Sequence, residues 1–196
     1  MRKVFLLMLA ALLPASAIAA RWKLPMDVDD SNTRISFRFD SPIQPLSGST
    51  TGLSGKVWLR NPNDPLSITS AITIPVSSLK IDRSAQNFSV FDFNSLLRLP
   101  DLILRISELR GNCLPAALRA AGGCNGTLLG SVSSNARAHD IEIPCQIRDH
   151  ASYYELRGAM DLDFSRYNAT DATAVLTQIY RSGRVDFSSR IPARVG

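Results

Sequence analysis

A serine and a lysine stand in the first half of the chain at the spacing of a known nucleophile motif. The segment Ser77-Ser78-Leu79-Lys80 matches S-x-x-K, in which the serine attacks a carbonyl carbon and the lysine assists proton transfer. That chemistry also requires Ser-Asp-Asn and Lys-Thr-Gly segments, and the sequence contains neither. The four residues therefore indicate the end of a strand rather than a catalytic site.

A glycine-containing stretch, Gly48 to Lys56, has the composition of a phosphate-binding loop but not its spacing. The pattern G-x-x-x-x-G-K-[ST] needs a glycine where Thr50 stands and a hydroxyl residue where Val57 stands. The stretch is therefore predicted to be a flexible loop.

Metal and triad chemistry have little support in the residue types. The two histidines, His139 and His150, are far apart and have no cysteine at ligand spacing. The residue types alone do not exclude a Ser-His-Asp triad. No serine, however, stands in the G-x-S-x-G turn that presents such a nucleophile. We therefore predict no enzyme activity, no cofactor and no metal.

The three cysteines predict one disulfide. Cys113 and Cys124 bracket 115–121, a strong helix former with a proline at its start and glycines after its end. In an oxidising compartment a disulfide between them would fix this helical insert at its base, whereas two free thiols are the alternative. Cys145 is then left over, as a buried small hydrophobic residue or, less simply, a reactive thiol.

The first twenty residues have the features of a secretory signal peptide. Arg2 and Lys3 precede an apolar run too short to span a bilayer, and 17–19 (Ala-Ile-Ala) is a small-x-small cleavage site. An uncleaved anchor is the alternative. We expect residues 1–20 to be removed and a domain of residues 21–196 to be exported to the periplasm. Without Arg2 and Lys3 the formal charge falls from +5 to +3, and the arginines are not clustered, so nucleic acid is not an expected partner.

Most of the remaining chain alternates between apolar and polar residues, the pattern of half-buried strands. Residues 33–39 and 56–60 alternate on either side of a long Gly/Pro/Ser break and predict a hairpin with a wide loop. The further alternating runs are 68–76, 102–106, 127–132, 140–147, 153–157, 159–164 and 183–191, after a first strand within 22–30. Gly158 is predicted to form a bulge, and Arg83 to Leu99 a short helix.

The predicted fold class is all-β. About eight antiparallel strands, one short helix and the disulfide-tied helical insert favour a sandwich or a closed barrel. A barrel is attractive because closure leaves no exposed sheet edge.

The order of these motifs resembles the YceI-like family of exported, lipocalin-like β-barrels. The matching segments are Met26-Asp27, Ser31, Ile35-Ser36-Phe37, Gly52-Leu53-Ser54-Gly55-Lys56-Val57-Trp58-Leu59, Asn63-Asp64-Pro65, Ile74-Pro75-Val76-Ser77-Ser78-Leu79 and Leu99-Pro100-Asp101-Leu102-Ile103-Leu104-Arg105-Ile106-Ser107. The chain departs from the family pattern at Leu104, where a phenylalanine is usual, and in the insert between the cysteines.

The resemblance implies a lipocalin-like barrel that sequesters or carries an elongated apolar lipid, such as a polyisoprenoid or an isoprenoid quinone, without catalysis. The residues expected to line the interior and bind the lipid are Phe37, Phe39, Val57, Leu59, Ile72, Ile74, Leu102, Leu104 and Ile106. Alternation alone does not separate a hollow barrel from a filled one. The alternative is therefore a filled-core barrel that acts as a structural or interaction protein through its surface, with transient contact to a membrane surface possible in either case.

Overall fold

A computed structural model of the chain describes residues 21–40, 45–61, 64, 66–81, 100–114, 118, 120–134, 137–163 and 182–194. Its strands are β1 (Arg21–Trp22), β2 (Met26–Val28), β3 (Thr33–Asp40), β4 (Leu46–Ser49), β5 (Ser54–Leu59), β6 (Ile68–Ile74), β7 (Lys80–Ile81), β8 (Leu102–Gly111), β9 (Gly123–Ser134), β10 (Arg137–Asp149), β11 (Tyr153–Asp163) and β12 (Ser182–Arg194). A single turn of 3₁₀ helix, Val76–Ser78, precedes β7. The signal peptide predicted for 1–20 and the helix predicted for 83–99 lie outside the described residues.

The alternation in the sequence determines which side of each strand faces the core. In β10, Ile141, Ile143, Cys145 and Ile147 are buried, whereas the residues between them are exposed. A period of two places successive side chains on opposite faces of a sheet. The buried row therefore faces the core and the other row faces solvent.

The strands form eight consecutive lengths of chain arranged in a ring. β1, β2 and β3 make the first length, β4 with β5 the second, β6 with β7 the third, and β8 to β12 the remaining five. Each length pairs antiparallel with the next, from the β3–β4 and β2–β5 pairs to the β11–β12 pair. The ring closes because β12 pairs with β3 and β1. The predicted all-β, antiparallel, lipocalin-like barrel is confirmed.

The barrel has two ends that differ in their connections. At one end, which we call the base, strands are joined through 60–67, 112–122 and 150–152. At the other end, the mouth, they are joined through 41–45, 82–101, 135–136 and 164–181.

The tightest packing lies at the base. The six largest side chains with less than 2% exposure are Tyr154, Leu109, Leu118, Ile147, Ile191 and Cys113. All six lie near the base ends of their strands or in the insert 112–122. The predicted disulfide is confirmed: the sulfurs of Cys113 and Cys124 are 2.06 Å apart. Leu118 is helical, and its amide donates a hydrogen bond to the Leu114 carbonyl, as the helical insert requires.

Three local predictions are corrected. The break between the first two strands contains a strand of its own, β4, which pairs with β3. Gly158 is no bulge, because β11 runs through it in unbroken register with β12, and Gly158 is also paired with Cys145 at the end of the β10–β11 ladder. The strand expected within 22–30 is divided into β1 and β2, since residues 24–31 leave β12 so that β2 can pair with β5.

Candidate functional site: the barrel interior

Seven of the nine residues predicted to bind lipid lie side by side on three strands. Ile74 is directly opposite Leu102, and Ile72 is opposite Leu104, in the β6–β8 pair. Ile106 is in the next inward position of β8. Val57 and Leu59 occupy the corresponding inward row of β5, paired with Ser70 and Ile68 of β6. The structure therefore brings these seven side chains into one continuous apolar wall.

Phe37 and Phe39, the other two residues predicted to bind lipid, stack on each other in a different part of the barrel. The rings of Phe37 and Phe39 on β3 are 5.1 Å apart and inclined by 27°. Glycines make room for them: a Cβ atom at Gly48 would lie 2.7 Å from Phe37 Cζ, and one at Gly183 would lie 2.4 Å from Phe39 Cδ1. The two rings therefore form a second apolar surface, on the side of the barrel where β12 pairs with β3.

Burial within the interior falls from the base toward the mouth. Val57, Ile72 and Ile106 are buried in the main core cluster. Nearer the mouth most of the inward-facing side chains are only half-buried, and they include Phe39, Ile74, Leu102, Leu104, Val132, Met160 and Val185. The exceptions are on β3 and β4, where Phe37 is 7% and Leu46 2% exposed. Apolar side chains on the inner face of a closed barrel keep contact with solvent only where the core does not cover them. The mouth half of the barrel thus presents an apolar surface that the described side chains leave partly uncovered.

Half of this surface was not among the predicted binding residues. Val132, Met160, Val185 and Phe187 all face inward on β9, β11 and β12. The alternating runs 127–132, 159–164 and 183–191 contain all four of them. Nothing in a single strand, however, reports that a position lies near the mouth.

Hydroxyl groups also occur in the interior, which the sequence reasoning missed. The Oγ atoms of Thr33 and Ser189 are 2.9 Å apart and form a buried hydrogen bond between β3 and β12. Ser70, at 5% exposure, faces inward between Val57 and Ile106, its partners in the neighbouring strands. A polar residue in an inward position of an alternating strand is the signal that could have identified it.

The buried polar residues in the described part of the chain are all serine or threonine, so no charged side chain is buried there. On the outside, the Arg157 guanidinium donates a 2.8 Å hydrogen bond to Glu155 and lowers the pKa of that carboxyl. Inside, burial raises the pKa of the Cys145 thiol to about 11, which keeps it protonated. The interior is therefore apolar, uncharged and suited to a neutral ligand.

The motifs considered for catalysis do not assemble into a reactive site. Ser77 is exposed on the 3₁₀ turn, and Ser78 Oγ donates a 2.7 Å hydrogen bond to the Pro75 carbonyl. His139 is exposed on β10, and His150 lies 3.6 Å from Glu155 at the base. Among the described residues no three His, Cys, Asp or Glu side chains converge as a metal site would require. The described helical residues include no segment with the length and hydropathy of a membrane span.

A shallow groove of about 770 Å³ also runs across the outer wall of β3, β10, β11 and β12. Its lining includes five charged side chains, those of Arg34, Arg157, Asp161, Arg184 and Asp186, and Arg184 bonds to Asp161 at 3.1 Å and to Asp186 at 3.2 Å. Exposed pairs of this kind are well solvated and contribute little energy. The groove is therefore poorly suited to an apolar ligand, and the interior remains the candidate site.

Comparison with known proteins identifies two solved structures with the same fold. Neither a family model nor a curated protein matches the chain. The crystal structure of Burkholderia cenocepacia BcnA is similar with a TM-score of 0.57 and 16% identity, covering 81% of this chain and 95% of that one. A polyisoprenoid binding domain from Saccharophagus degradans, implicated in plant cell wall breakdown, is similar with a TM-score of 0.57 and 10% identity, covering 86% of this chain and 97% of that one. At these identities the likeness is one of fold, and at that level it supports the resemblance of this chain to the YceI-like family.

Proposed function

We propose that this protein sequesters or carries an elongated apolar lipid, a polyisoprenoid or isoprenoid quinone, inside the barrel and without catalysis. The observation that carries the proposal is the contrast within one interior: a filled base beneath a mouth half whose apolar wall is only half-buried. The similarity in fold to a polyisoprenoid binding domain supports the same class of ligand.

The physical basis of binding would be the removal of apolar surface from water. Each Å² of apolar surface covered contributes about 25 cal/mol, before the cost of ordering the lipid chain is subtracted. Ile74, Leu104 and Val132 lie on three neighbouring strands, so their apolar surface is continuous across the strands. The nine residues predicted from the sequence are proposed as the lining, together with Val132, Met160, Val185 and Phe187.

We further propose that the protein works in the periplasm. The Cys113–Cys124 disulfide is of the kind that persists in oxidising compartments. The signal-peptide features of residues 1–20 and the YceI-like fold support export in the same way. A carrier in that compartment would move its lipid between membranes through water.

The first experiment is native mass spectrometry of the protein from its exported fraction, with organic extraction of whatever co-purifies. A stoichiometric long-chain lipid supports the proposal and identifies the ligand. An unliganded mass together with no uptake of added isoprenoids contradicts it.

A matched pair of variants on β8 tests the location of the site. Leu104→Trp places a large ring inside the mouth half, whereas Ile103→Trp places the same ring on the outer face one residue away. We expect Leu104→Trp to weaken lipid uptake at least about tenfold, because the ring takes the volume that the lipid would fill. Ile103→Trp should bind as the unmodified protein does, and equal loss in both variants would contradict an interior site.

The alternative function is that of an interaction protein that works through its surface. Its supporting observation is Leu114 in the insert, a large apolar side chain that is 45% exposed. A Leu114→Asp variant that loses a biological activity while keeping full lipid uptake would favour this alternative.

A further inference from the structure

Within the apolar wall of β5, β6 and β8, as far as the chain is described, the hydroxyl of Ser70 is buried without a hydrogen-bond partner. Ser70 is 5% exposed, and its Oγ atom contacts neither a donor nor an acceptor of the protein. Its neighbours in register, Val57 on β5 and Ile106 on β8, are both apolar and buried. The hydroxyl therefore lies in an apolar wall that cannot satisfy it.

The inward hydroxyls of Thr33 and Ser189, where β3 pairs with β12, do have hydrogen-bond partners. Thr33 and Ser189 bond to each other, and Thr33 Oγ1 also donates to Asn32 at 2.9 Å. Thr50 Oγ1 is likewise buried without a partner and continues the inward row of β4, but its amide bonds to the Ile35 carbonyl of β3, so Thr50 lies away from the wall formed by β5, β6 and β8. Leaving a buried hydroxyl unpaired costs about 1–3 kcal/mol, so an alanine at position 70 would serve a purely structural wall better.

The position of Ser70 along the barrel relates it to the proposed ligand. It lies one inward step toward the base from Ile72, which faces Leu104 across the β6–β8 pair. Leu104 is half-buried whereas Ile72 and Ile106 are buried, so the partly uncovered surface of the mouth half ends one inward step from Ser70. A lipid that enters from the mouth and displaces the tips of Ile72 and Leu104 would bring its leading end to this hydroxyl.

We propose that Ser70 is a specificity-determining residue that hydrogen-bonds a neutral oxygen at the leading end of the lipid. This inference rests on the proposed function and adds the chemical class and orientation of the ligand. The lipid enters head first, and its head is the hydroxyl of an isoprenoid alcohol or the carbonyl of a quinone. A hydrocarbon end would leave Ser70 unpaired, so the site discriminates against it.

The same surroundings exclude a charged head group at this depth. The described buried residues include no charged side chain, and one hydroxyl cannot replace the water around a phosphate. An isoprenoid diphosphate would have to keep its head at the mouth, with its apolar tail against Ser70. The class that fits the wall is therefore the neutral, singly oxygenated head.

Equilibrium binding of three probes of equal chain length tests the proposal: a polyprenol, the corresponding hydrocarbon and the polyprenyl diphosphate. We expect the unmodified protein to bind the polyprenol about five- to tenfold more tightly than the hydrocarbon, the ratio that one net hydrogen bond produces. Ser70→Ala should bring that ratio to about one, mainly by weakening the polyprenol. A quinone of the same chain length, run in parallel, shows whether an acceptor alone suffices.

Ser189→Ala is the matched control, since it removes an inward hydroxyl that already has a protein partner. It should leave the polyprenol-to-hydrocarbon ratio unchanged. Tight binding of polyprenol and hydrocarbon with a ratio of one, or a ratio that survives Ser70→Ala, would overturn the role of Ser70 while leaving the carrier function intact. No binding of any probe by the unmodified protein would overturn the carrier function itself.

Discussion

The base and the mouth of the barrel are built from the same strands and the same kind of alternation, yet their interiors differ. On β8, Leu109 near the base is 1% exposed, whereas Leu104, also facing inward, is half-buried. The base is additionally covered by the insert, which places Leu118 at 0% exposure against the core. The difference is that the base is closely packed, whereas the mouth keeps the partly uncovered apolar surface where we propose that the lipid binds.

The largest expected difference in stability between the base and the mouth is at the two leucines of β8. Leu109→Ala should destabilise the protein by about 3–4 kcal/mol, because it leaves a cavity in a close-packed region. Leu104→Ala should cost only about 1 kcal/mol, since its side chain is already partly solvated. Chemical denaturation of the two variants measures both values, and equal losses would mean that the mouth half is packed as tightly as the base.

Removing the disulfide should be the next largest effect and should also fall on the base. Replacing Cys113 and Cys124 by serine frees a loop with a sequence separation of 11, which is worth about 3 kcal/mol in the chain-entropy account. Lipid uptake per folded molecule should not change, because the mouth half is untouched. Denaturation of the unmodified protein with and without dithiothreitol provides the control, and a stability independent of the disulfide would contradict the role of the insert.

Substitution of Gly158, which lies on β11 between the base and the mouth, should destabilise the protein less than removal of the disulfide. A Cβ atom at Gly158 would lie 2.3 Å from Phe187 Cε1, so Gly158→Ala should cost about 2 kcal/mol through overpacking. Adding Phe187→Leu shortens the opposing side chain and should recover part of the loss. A double-mutant cycle measures the coupling, and strict additivity of the two changes would show that the ring does not depend on the glycine.

The smallest expected effect on stability comes from Cys145, whose free thiol is buried in the core. Burial raises the pKa of Cys145 to about 11, above the value of about 8.5 for an unfolded cysteine. The unfolded chain therefore loses the thiol proton first. The contribution of Cys145 is fully present below pH of about 8.5 and is lost as the pH rises toward 11. A Cys145→Ala variant should lack this part of the alkaline decline in stability.

Alkylation of the same thiol compares the two regions directly. At pH 8, native Cys145 should react with iodoacetamide far more slowly than a cysteine introduced by Val132→Cys near the mouth, because the thiolate is the nucleophile and Val132 is half-buried. Equal rates would indicate that the base is as accessible as the mouth.

The sequence predicted the alternating strands well because a period of two survives in any half-buried sheet. It missed β4 because Gly48 and its serine neighbours have the composition of a turn. In the structure Gly48 remains in a strand and makes room for the ring of Phe37, and Gly158 does the same for Phe187. Such glycines are selected by a side chain on another strand, so local pattern cannot distinguish them from turn or bulge residues.

The depth of the site could not be predicted for a related reason. Ile72 and Ile74 have the same residue type and the same parity, but only the first is buried. Which inward positions the core covers depends on the register of strands far apart in sequence, and on the insert at the base. The sequence therefore identified the wall, but it could not separate the part that packs from the part that remains uncovered.

The closure of the ring by its first and last strands has a consequence for how the protein acquires its fold. Thr33 and Ser189, which bond across that seam, are separated by 156 positions in the chain. Closing a flexible loop of that length costs about 4 kcal/mol in entropy, and contacts between residues so far apart in the sequence form slowly. A chain that emerges with its N-terminus first must keep β3 without its β12 partner until the last strand is available. During that interval the open sheet has two unpaired edges, so delivery of the final strand is the step at which folding competes with aggregation.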